Sequence, residues 1–209
     1  MLDWDHNAYY HRMLLRSSPP RSQRVLDVGC GAGTFASRLA QHVERVDAID
    51  RSAAMIDLAR RRTPGNVTCI LDDVMTCDLP ANGYDAIFSI CAVHHLDLEQ
   101  ALRRCAELLR PGGTLAIIAL PRKDLRHELG AEIIAALGHR LFGAIFVIAR
   151  AVGRDDWFAK DSTHSLMPVV LAPELSMREV AERAAEALPG VRVRRLVFWR
   201  YSLHWEKPT

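Results

Sequence analysis

The sequence predicts an α/β fold, in which helices cover both faces of a mostly parallel β-sheet. The first observation behind this prediction is a series of short apolar runs, each bounded by Gly, Pro, Asn or Asp, which indicate buried strands. These runs are Arg24–Val28, Arg45–Asp50, Val67–Leu71, Ala86–Ile90 and Thr114–Leu120. The second is that helical segments alternate with the runs, as in tandem βα units. They lie near Thr34–His42, Ser52–Arg62 and Leu98–Leu109, the last ended by Pro111-Gly112-Gly113.

Segments on either side of these units complete the predicted sheet. Residues 1–23 form an arm that is helical around Asn7–Leu15, and residues 24–120 form the core. Towards the other end, a capping-box pattern at Ser176–Glu179 begins a further helix within residues 176–209. Val191–Phe198 and Tyr201–Trp205 follow as a tight hairpin at one sheet edge, with Trp199-Arg200 as its turn. We therefore expect seven strands and a single domain spanning residues 1–209.

Residues 121–175 interrupt the βα alternation and are predicted to form a helical insertion after the fifth strand. Within them, the run Leu141–Val152 is rich in Leu, Phe, Ile, Val and Ala, but it is too short to span a bilayer. Three interpretations remain open: a core helix, a lid over a substrate, or a surface anchor. As a lid, the insertion would bring Phe146 and Trp157 to the substrate.

Composition limits the compartment and the partners. The five cysteines form no CxxC pair and lie mostly in apolar segments, which favours a reducing cytoplasm. The chain shows neither a secretory-signal pattern nor a membrane-spanning apolar stretch, and a net charge of +2 is too small to indicate nucleic-acid binding. His127, His139, His164 and His204 lack metal-ligand spacing, so we expect no metal.

The most informative motif is the glycine-rich turn Gly29-Cys30-Gly31-Ala32-Gly33, which joins the first strand to the first core helix. Glycine lets a backbone approach a ligand closely, although such a turn can also be purely structural. Asp50 ends the second strand, where a carboxylate can accept hydrogen bonds from both hydroxyls of a ribose. The two features together predict a nucleoside site.

Details of the turn separate two kinds of nucleoside. Dinucleotide-binding enzymes need a third glycine in the pattern GxGxxG, and Thr34 occupies that position here. The pattern is instead GxGxG preceded by Asp27, which resembles the first motif of the class I S-adenosylmethionine-dependent methyltransferases. The resemblance covers roughly residues 24–120, with further matching motifs at Asp50-Arg51-Ser52, Asp72-Asp73-Val74, Tyr84-Asp85, His94-His95-Leu96 and Leu109–Gly113. It implies a Rossmann-like sheet and S-adenosyl-L-methionine as the cofactor, with S-adenosyl-L-homocysteine as the product.

The resemblance also implies roles for individual residues. Gly29 and Gly31 would line the methionine part of the cofactor, Asp27 would position the turn and the cofactor amino group, and Asp50 would hold the ribose. A second group would surround the adenine and the rest of the methionine. Arg51 and Val74 would flank the adenine ring, Asp73 would accept from its amine unless the adjacent Asp72 does so, and the main chain at Ser89 and Ile90 would border the methionine.

The motifs say less about the acceptor. Methyltransferases that act on nucleobase or amide nitrogen often carry Asn/Asp-Pro-Pro-Tyr/Phe after the fourth strand. Ser89-Ile90-Cys91-Ala92 stands there in this chain, which disfavours a nucleobase acceptor. We expect a small, partly apolar acceptor. The residues expected to contact it lie in the arm and in the insertion: Trp4, Tyr9, Tyr10, His11, Phe146 and Trp157.

Methyl transfer depends mostly on aligning nucleophile, methyl and sulfur, and only some acceptors need a base. His94 and His95 follow the fourth strand at the ligand-binding edge of the sheet, so either is a candidate base. Alternatively, they only hydrogen-bond the loop backbone. His6 and His11 in the arm are weaker candidates, and the alternative is that they lie on a solvated helical face. An unshifted histidine base predicts a rate that falls near pH ~6.5.

Two other functions compete with this hypothesis. A nicotinamide-dependent oxidoreductase is disfavoured by the missing third glycine and by the absence of a recognisable Tyr-x-x-x-Lys pair. A non-methylating or regulatory protein could retain the nucleoside site, but the intact glycines and Asp50 argue against a degenerate pocket.

Overall fold

Seven strands form one sheet in the computed structural model, which describes residues 5–122, 138–143, 145 and 173–209. The strands are β1 Arg24–Val28, β2 Arg45–Asp50, β3 Val67–Leu71, β4 Tyr84–Ile90, β5 Leu109–Ala119, β6 Arg192–Leu196 and β7 Arg200–Glu206. The helices are α1 His6–Leu15, α2 Thr34–Leu39, α3 Ala53–Arg62, α4 Leu98–Leu108 and α6 Met177–Ala187. Residues 138–143 are also helical and are labelled α5, and a 3₁₀ helix occupies Val93–His95.

The strand order is β3-β2-β1-β4-β5-β7-β6. The first five strands run parallel, whereas β7 pairs antiparallel with both β5 and β6. The predicted seven-stranded, mostly parallel sheet with a hairpin at one edge is therefore confirmed. From β1 the chain winds outward to β3 and then returns to β4 on the other side of β1. This reversal creates a crevice at the carboxyl ends of β1 and β4, where open α/β sheets bind ligands.

Apolar side chains alternate between the two faces of the sheet and form two cores. On β4, Ala86 and Phe88 belong to the core that α1, α2 and α3 cover, whereas Ile87 belongs to the core beneath α4 and α6. The alternation follows from the two-residue side-chain period of a strand. Burial on both faces holds the central strands, and hence their carboxyl ends, in fixed positions.

Several predicted boundaries are wrong, and strand pairing explains two of them. The fifth strand begins at Leu109 rather than Thr114, because Leu109 pairs with Tyr84 and is fully buried. The helix before it thus ends without help from Pro111-Gly112-Gly113. In the hairpin, Arg200 pairs with Leu196 as the first residue of β7, so the turn is residues 197–199. The first core helix also ends earlier than predicted, at Leu39 rather than His42.

A buried carboxylate ties β2 to its neighbours at the opposite end of the sheet from the crevice. Asp47 is 2% exposed and accepts hydrogen bonds from the Arg24 guanidinium at 2.9 and 2.6 Å. The Tyr84 hydroxyl donates to the same carboxylate oxygen at 2.7 Å. These contacts connect β1, β2 and β4 through side chains as well as through the backbone.

We predict that Asp47→Ala lowers the free energy of unfolding by about 1–3 kcal/mol, because it leaves the buried Tyr84 hydroxyl and the Arg24 guanidinium without their acceptor. Urea denaturation of the wild type and the variant measures this difference. Glu44→Ala, at an exposed position just before β2, is the matched control and should stay within about 0.5 kcal/mol of wild type. Equal stability of Asp47→Ala and wild type would contradict the prediction.

Candidate active site

A cavity of about 750 Å³ occupies the crevice at the carboxyl ends of the parallel strands. Its walls come from α1, the turn after β1, the end of β2, the loops after β3 and β4, and the start of β7. Its volume lies within the usual range of small-molecule sites. Of the residues singled out in the sequence, it is lined by His6, His11, Asp27, Gly29, Gly31, Asp50, Arg51, Asp73, Val74, Ile90, His94 and His95.

The glycine-rich turn crosses the end of β2. The backbone N–H groups of Gly29 and Cys30 both donate to the Ile49 carbonyl, at 2.8 and 3.1 Å. Gly29, Gly31 and Gly33 have φ angles of 71°, 52° and 81°, which strain any residue with a side chain. A Cβ atom at Gly29 would also lie 2.1 Å from the Cβ of Ala92, in the loop after β4. Only glycine fits between these two loops.

Asp50 fastens the turn to the end of β2. One carboxylate oxygen accepts from the Gly31 N–H at 2.9 Å, and the other accepts from the Ser52 N–H at 2.8 Å. A carboxylate offers about four lone-pair sites, so both oxygens can still accept from a ligand. The half-buried Asp50 can therefore hold the turn and bind ribose hydroxyls at the same time.

Asp27 is a buried carboxylate beneath the glycine turn. It is 2% exposed and lines the cavity, and its Oδ2 has no hydrogen-bond partner among the residues that the structure describes. Burial and the nearby charge of Asp50 raise its pKa to about 7. Because buried polar atoms in proteins are nearly always hydrogen-bonded, this oxygen calls for a donor from a ligand. The ammonium group of the methionine part of S-adenosylmethionine has the required chemistry.

The loop after β3 brings a second carboxylate to the cavity. Asp73 lines the cavity, lies 3.4 Å from the Arg51 guanidinium, and accepts from the Met75 N–H at 3.0 Å. The adjacent Asp72 is exposed and does not line the cavity, which favours Asp73 over Asp72 as the adenine contact. Val74 is 7% exposed and provides an apolar surface beside them.

Ser89 and Ile90 lie at the end of β4. Ile90 lines the cavity, but Ser89 does not: it is 1% exposed, and its hydroxyl donates to the Val28 carbonyl at 2.9 Å. The Ser89 side chain thus ties β4 to β1, directly below the glycine turn.

His94 and His95 face the cavity from the 3₁₀ helix after β4, with ring centroids 4.2 Å apart. Burial, followed by the charges of His95 and Arg200, lowers the pKa of His94 to about 4. Burial also lowers the pKa of His95, and the Arg51 charge adds to the effect. The His94 Nδ1 has no hydrogen-bond partner within the described part of the chain. Both rings are thus neutral at pH 7, which is the form that can accept a proton.

The arm closes the cavity on the other side. His11 on α1 is 4% exposed, lines the cavity, and packs against Phe35 with ring centroids 4.9 Å apart. Burial, helped by the Arg38 charge, lowers its pKa to about 3. Of the two interpretations of His11, a solvated position on the arm helix is therefore excluded, and its predicted contact with the acceptor stays a prediction. His6 also lines the cavity, and its Nε2 is 3.0 Å from the Nδ1 of His139 on α5.

Five further contacts to the acceptor were predicted in the arm and the insertion. Tyr9 and Tyr10 do not line the cavity: the Tyr10 hydroxyl donates to the Val197 carbonyl at 2.6 Å, and Tyr9 packs edge-on against Tyr10 and Phe198. These tyrosines join the arm to the β6–β7 turn. Trp4, Phe146 and Trp157 lie outside the described residues, so their predicted contacts and the predicted lid stay predictions.

Comparison with known proteins agrees with this geometry. The family model for a methyltransferase domain matches residues 25–113. An uncharacterized methyltransferase of Mycobacterium tuberculosis is 32% identical over 98% of this chain and 98% of its own length. The chain belongs to the class I S-adenosylmethionine-dependent methyltransferases.

Two further matches extend the comparison. A ubiquinone biosynthesis O-methyltransferase of Methylocella silvestris is 32% identical over 76% of this methyltransferase and 60% of its own length. Phosphoethanolamine N-methyltransferase 2 of Haemonchus contortus, solved in complex with S-adenosyl-L-methionine, shares the fold. Its TM-score is 0.65 at 16% identity, over 97% of this methyltransferase and 53% of that chain. S-adenosylmethionine is the cofactor of this methyltransferase.

The structure adds cavity residues that the sequence did not reveal. Asn7, Cys91, Trp199 and Arg200 all line the methyltransferase cavity. Arg200 was predicted to lie in the hairpin turn, where an arginine is ordinarily solvated, and nothing in the local pattern shows that strand pairing buries it. A polar residue on the arm helix, such as Asn7, gives no signal of its own.

The described residues also bear on membranes and metals. None of the helices in those ranges is long and apolar enough to cross a membrane. The same ranges contain no group of three or more His, Cys, Asp or Glu side chains that could hold a metal ion.

The low pKa of His11 predicts how the stability of the methyltransferase depends on pH. Because the folded-state pKa is about 3 and the unfolded value is 6.5, the unfolded state binds more protons between these pH values. The contribution of His11 to the free energy of unfolding is therefore retained above pH ~6.5 and falls as the pH drops towards ~3. We predict that, between pH 7 and 4.5, the free energy of unfolding of His11→Gln falls by about 2–3 kcal/mol less than that of wild type.

Urea denaturation at pH 7, 5.5 and 4.5 measures this difference directly. The matched control is His42→Gln, at an exposed position after α2, which should follow the wild-type pH dependence. Parallel pH dependences for His11→Gln and wild type would mean that His11 can be protonated in the folded protein.

Proposed function

We propose that this methyltransferase transfers the methyl group of S-adenosylmethionine to a small-molecule acceptor, which binds between the arm and the β6–β7 hairpin. The observation that carries the proposal is the continuity of the cavity. One cavity joins the glycine turn and Asp50 to His11, His94 and Arg200. A cavity covered by α1 and by the start of β7 suits a small molecule better than a nucleic acid or a folded protein. The similarity to a ubiquinone biosynthesis O-methyltransferase also supports a small acceptor.

The cofactor would occupy the end of the cavity above β1 and β2. Gly29 and Gly31 allow the methionine part to approach the backbone, and Asp27 accepts from its ammonium group. Asp50 accepts from the ribose hydroxyls. Arg51 and Val74 flank the adenine, Asp73 accepts from its amine, and Ile90 borders the methionine. All of these residues line the cavity.

When bound, S-adenosylmethionine supplies an electrophilic methyl group on a sulfonium. The protein then has to align an acceptor nucleophile with that methyl group and exclude water. The buried aromatic contact of His11 with Phe35 closes the cavity on the arm side. A hydroxyl or ammonium acceptor must also lose a proton, and His94 or His95, both neutral at pH 7, would take it.

The cofactor assignment predicts that Asp50→Ala weakens S-adenosylmethionine binding by about ten- to a hundredfold, because the ribose loses a charged acceptor. Calorimetric titration of wild type and variant measures the change. Asp57→Ala, at an exposed position on α3, is the matched control and should bind normally. Unchanged affinity in a folded Asp50→Ala protein would refute the ribose role, and binding of nicotinamide dinucleotides by wild type would refute the site assignment.

The base assignment predicts that replacing the responsible histidine, His94 or His95, by Ala lowers kcat by about a hundredfold with little change in cofactor affinity. With His94 as the base, the wild-type rate should stay flat from pH 8 to about 5 and fall as the pH drops through about 4, because its conjugate acid forms only there. The midpoint near pH ~6.5 of an unshifted histidine is therefore not expected.

Mass-spectrometric methyl-transfer assays with a panel of phenols, carboxylic acids, thiols and amines provide the rates. His42→Ala serves as the control, because that side chain is exposed and outside the cavity. Activity of the double variant His94→Ala/His95→Ala within about threefold of wild type would exclude both residues as the base. The surviving mechanism would then be alignment, either with an acceptor that is already ionised or with a base from the arm such as His11.

A further inference from the structure

Arg200 is a buried cation in the cavity, at the first position of β7. Only 9% of its surface is exposed, although arginine is almost never buried without a partner. A guanidinium cannot lose its proton in a protein, so the positive charge is always present. Burying such a charge is costly unless an anion and sufficient acceptors compensate for it.

The protein itself supplies few acceptors for this charge. The Nε and Nη2 of Arg200 both donate to the side-chain oxygen of Asn7, at 3.2 and 2.7 Å, and Nη1 donates to the Phe198 carbonyl at 2.7 Å. The Cys91 thiol donates to the same Asn7 oxygen at 3.2 Å. Three donors thus converge on a carbonyl oxygen that has two lone pairs. Each of the two terminal nitrogens of Arg200 also retains one N–H beyond these bonds.

Arg200 forms no ion pair with any carboxylate of the residues that the structure describes. Other arginines of this sheet are paired, as Arg24 with Asp47 at 2.6 Å and Arg110 with Asp85 at 2.6 Å. Asp5 is the carboxylate of the arm that lines the same cavity, but its Oδ1 accepts from the N–H groups of Asn7 and Ala8 at the start of α1. Among the described residues, the part of the cavity between the arm and the start of β7 therefore contains the charge of Arg200 without an ion-paired carboxylate.

We propose that Arg200 binds a carboxylate of the methyl acceptor, and that the acceptor is consequently an organic acid. The two remaining N–H groups, one on each terminal nitrogen, match the two oxygens of a carboxylate, the planar anion that arginine binds with paired hydrogen bonds. The charge of Arg200 acts on His94, so the carboxylate lies near the candidate base. This inference rests on the proposed function, because it names the acceptor class of that site.

Arg200 also connects Asn7 of the arm to the β6–β7 turn, and a purely structural role must be distinguished from anion binding. A structural residue would support all acceptors equally. An anion-binding residue would support acids and have little effect on neutral molecules of the same shape. Matched pairs of acid and amide therefore separate the two roles.

The experiment uses the full chain saturated with S-adenosylhomocysteine. Acetate, benzoate and 4-hydroxybenzoate are titrated in parallel with acetamide, benzamide and 4-hydroxybenzamide at constant ionic strength, with binding followed by calorimetry. We expect at least one acid to bind wild type about tenfold or more tightly than its amide. Phenyl phosphate is titrated as a further ligand. If it binds more tightly than every carboxylate, the choice of carboxylate is overturned.

Arg200→Gln should reduce the acid-to-amide preference to within about twofold while amide binding changes little. Arg200→Lys keeps the charge without the paired donors and should retain an intermediate preference. The matched control, Arg194→Gln, removes an exposed arginine on the adjacent strand β6 and should behave as wild type. Circular dichroism establishes which variants fold. If Arg200→Gln does not fold, the acid-to-amide preference of the wild type still tests the proposal.

Two results would overturn the proposal: no preference for the acid in any pair, or an acid preference that persists in folded Arg200→Gln. The same probes in methyl-transfer assays with S-adenosylmethionine test the proposed function separately. Acid binding through Arg200 without methyl transfer to any small molecule would leave the anion site standing and remove the proposed reaction. Equal methylation of acids and amides would overturn the anion site and leave the proposed reaction standing.

Discussion

The contact between the turn after β1 and the loop after β4 determines the geometry of the cavity. Gly29 lies so close to Ala92 that a single added methyl group would collide with it. This contact joins the two halves of the sheet on either side of the reversal in strand order. The glycine turn, Asp27 beneath it and the histidines after β4 all take their positions from it, so their relative placement follows from the packing of two loops on adjacent strands.

The cavity has two ends of opposite charge. Asp27, Asp50 and Asp73 make the cofactor end acidic, which suits the ammonium, hydroxyl and amine groups of S-adenosylmethionine. Arg200 places a buried positive charge at the other end, and this charge acts on the neutral His94. A cofactor that carries a positive sulfonium and an acceptor that carries a negative charge would therefore meet between the two ends. Electrostatic attraction within a space of low dielectric constant favours such an approach.

The sequence alone located the features that depend on a local pattern of residues. Strands β1, β2 and β3 have the predicted bounds. β1 and β2 are largely buried in the parallel sheet, whereas β3 is an edge strand whose residues all remain partly or fully exposed. The glycine turn and Asp50 could be located because both belong to one βα unit and its next strand. The start of β5 and the position of Arg200 could not be predicted, because strand pairing decides both: Leu109 pairs with Tyr84 of β4, and Arg200 pairs with Leu196 across the hairpin. The sequence left two interpretations of His11 open for a related reason, since burial of an arm helix depends on what packs against it.

The two ends of the cavity also differ in how far apart their parts lie along the chain. The bond between Asp50 and the Gly31 backbone joins residues 19 positions apart, whereas the bond between Asn7 and Arg200 joins residues 193 positions apart. Loop closure over the longer separation costs more chain entropy, and it requires β7 to be in place beside β5. During synthesis on the ribosome, the cofactor end can therefore assemble long before the acceptor end exists. A nascent chain would pass through a stage in which the nucleoside site is formed but the pocket beside it is still open to water.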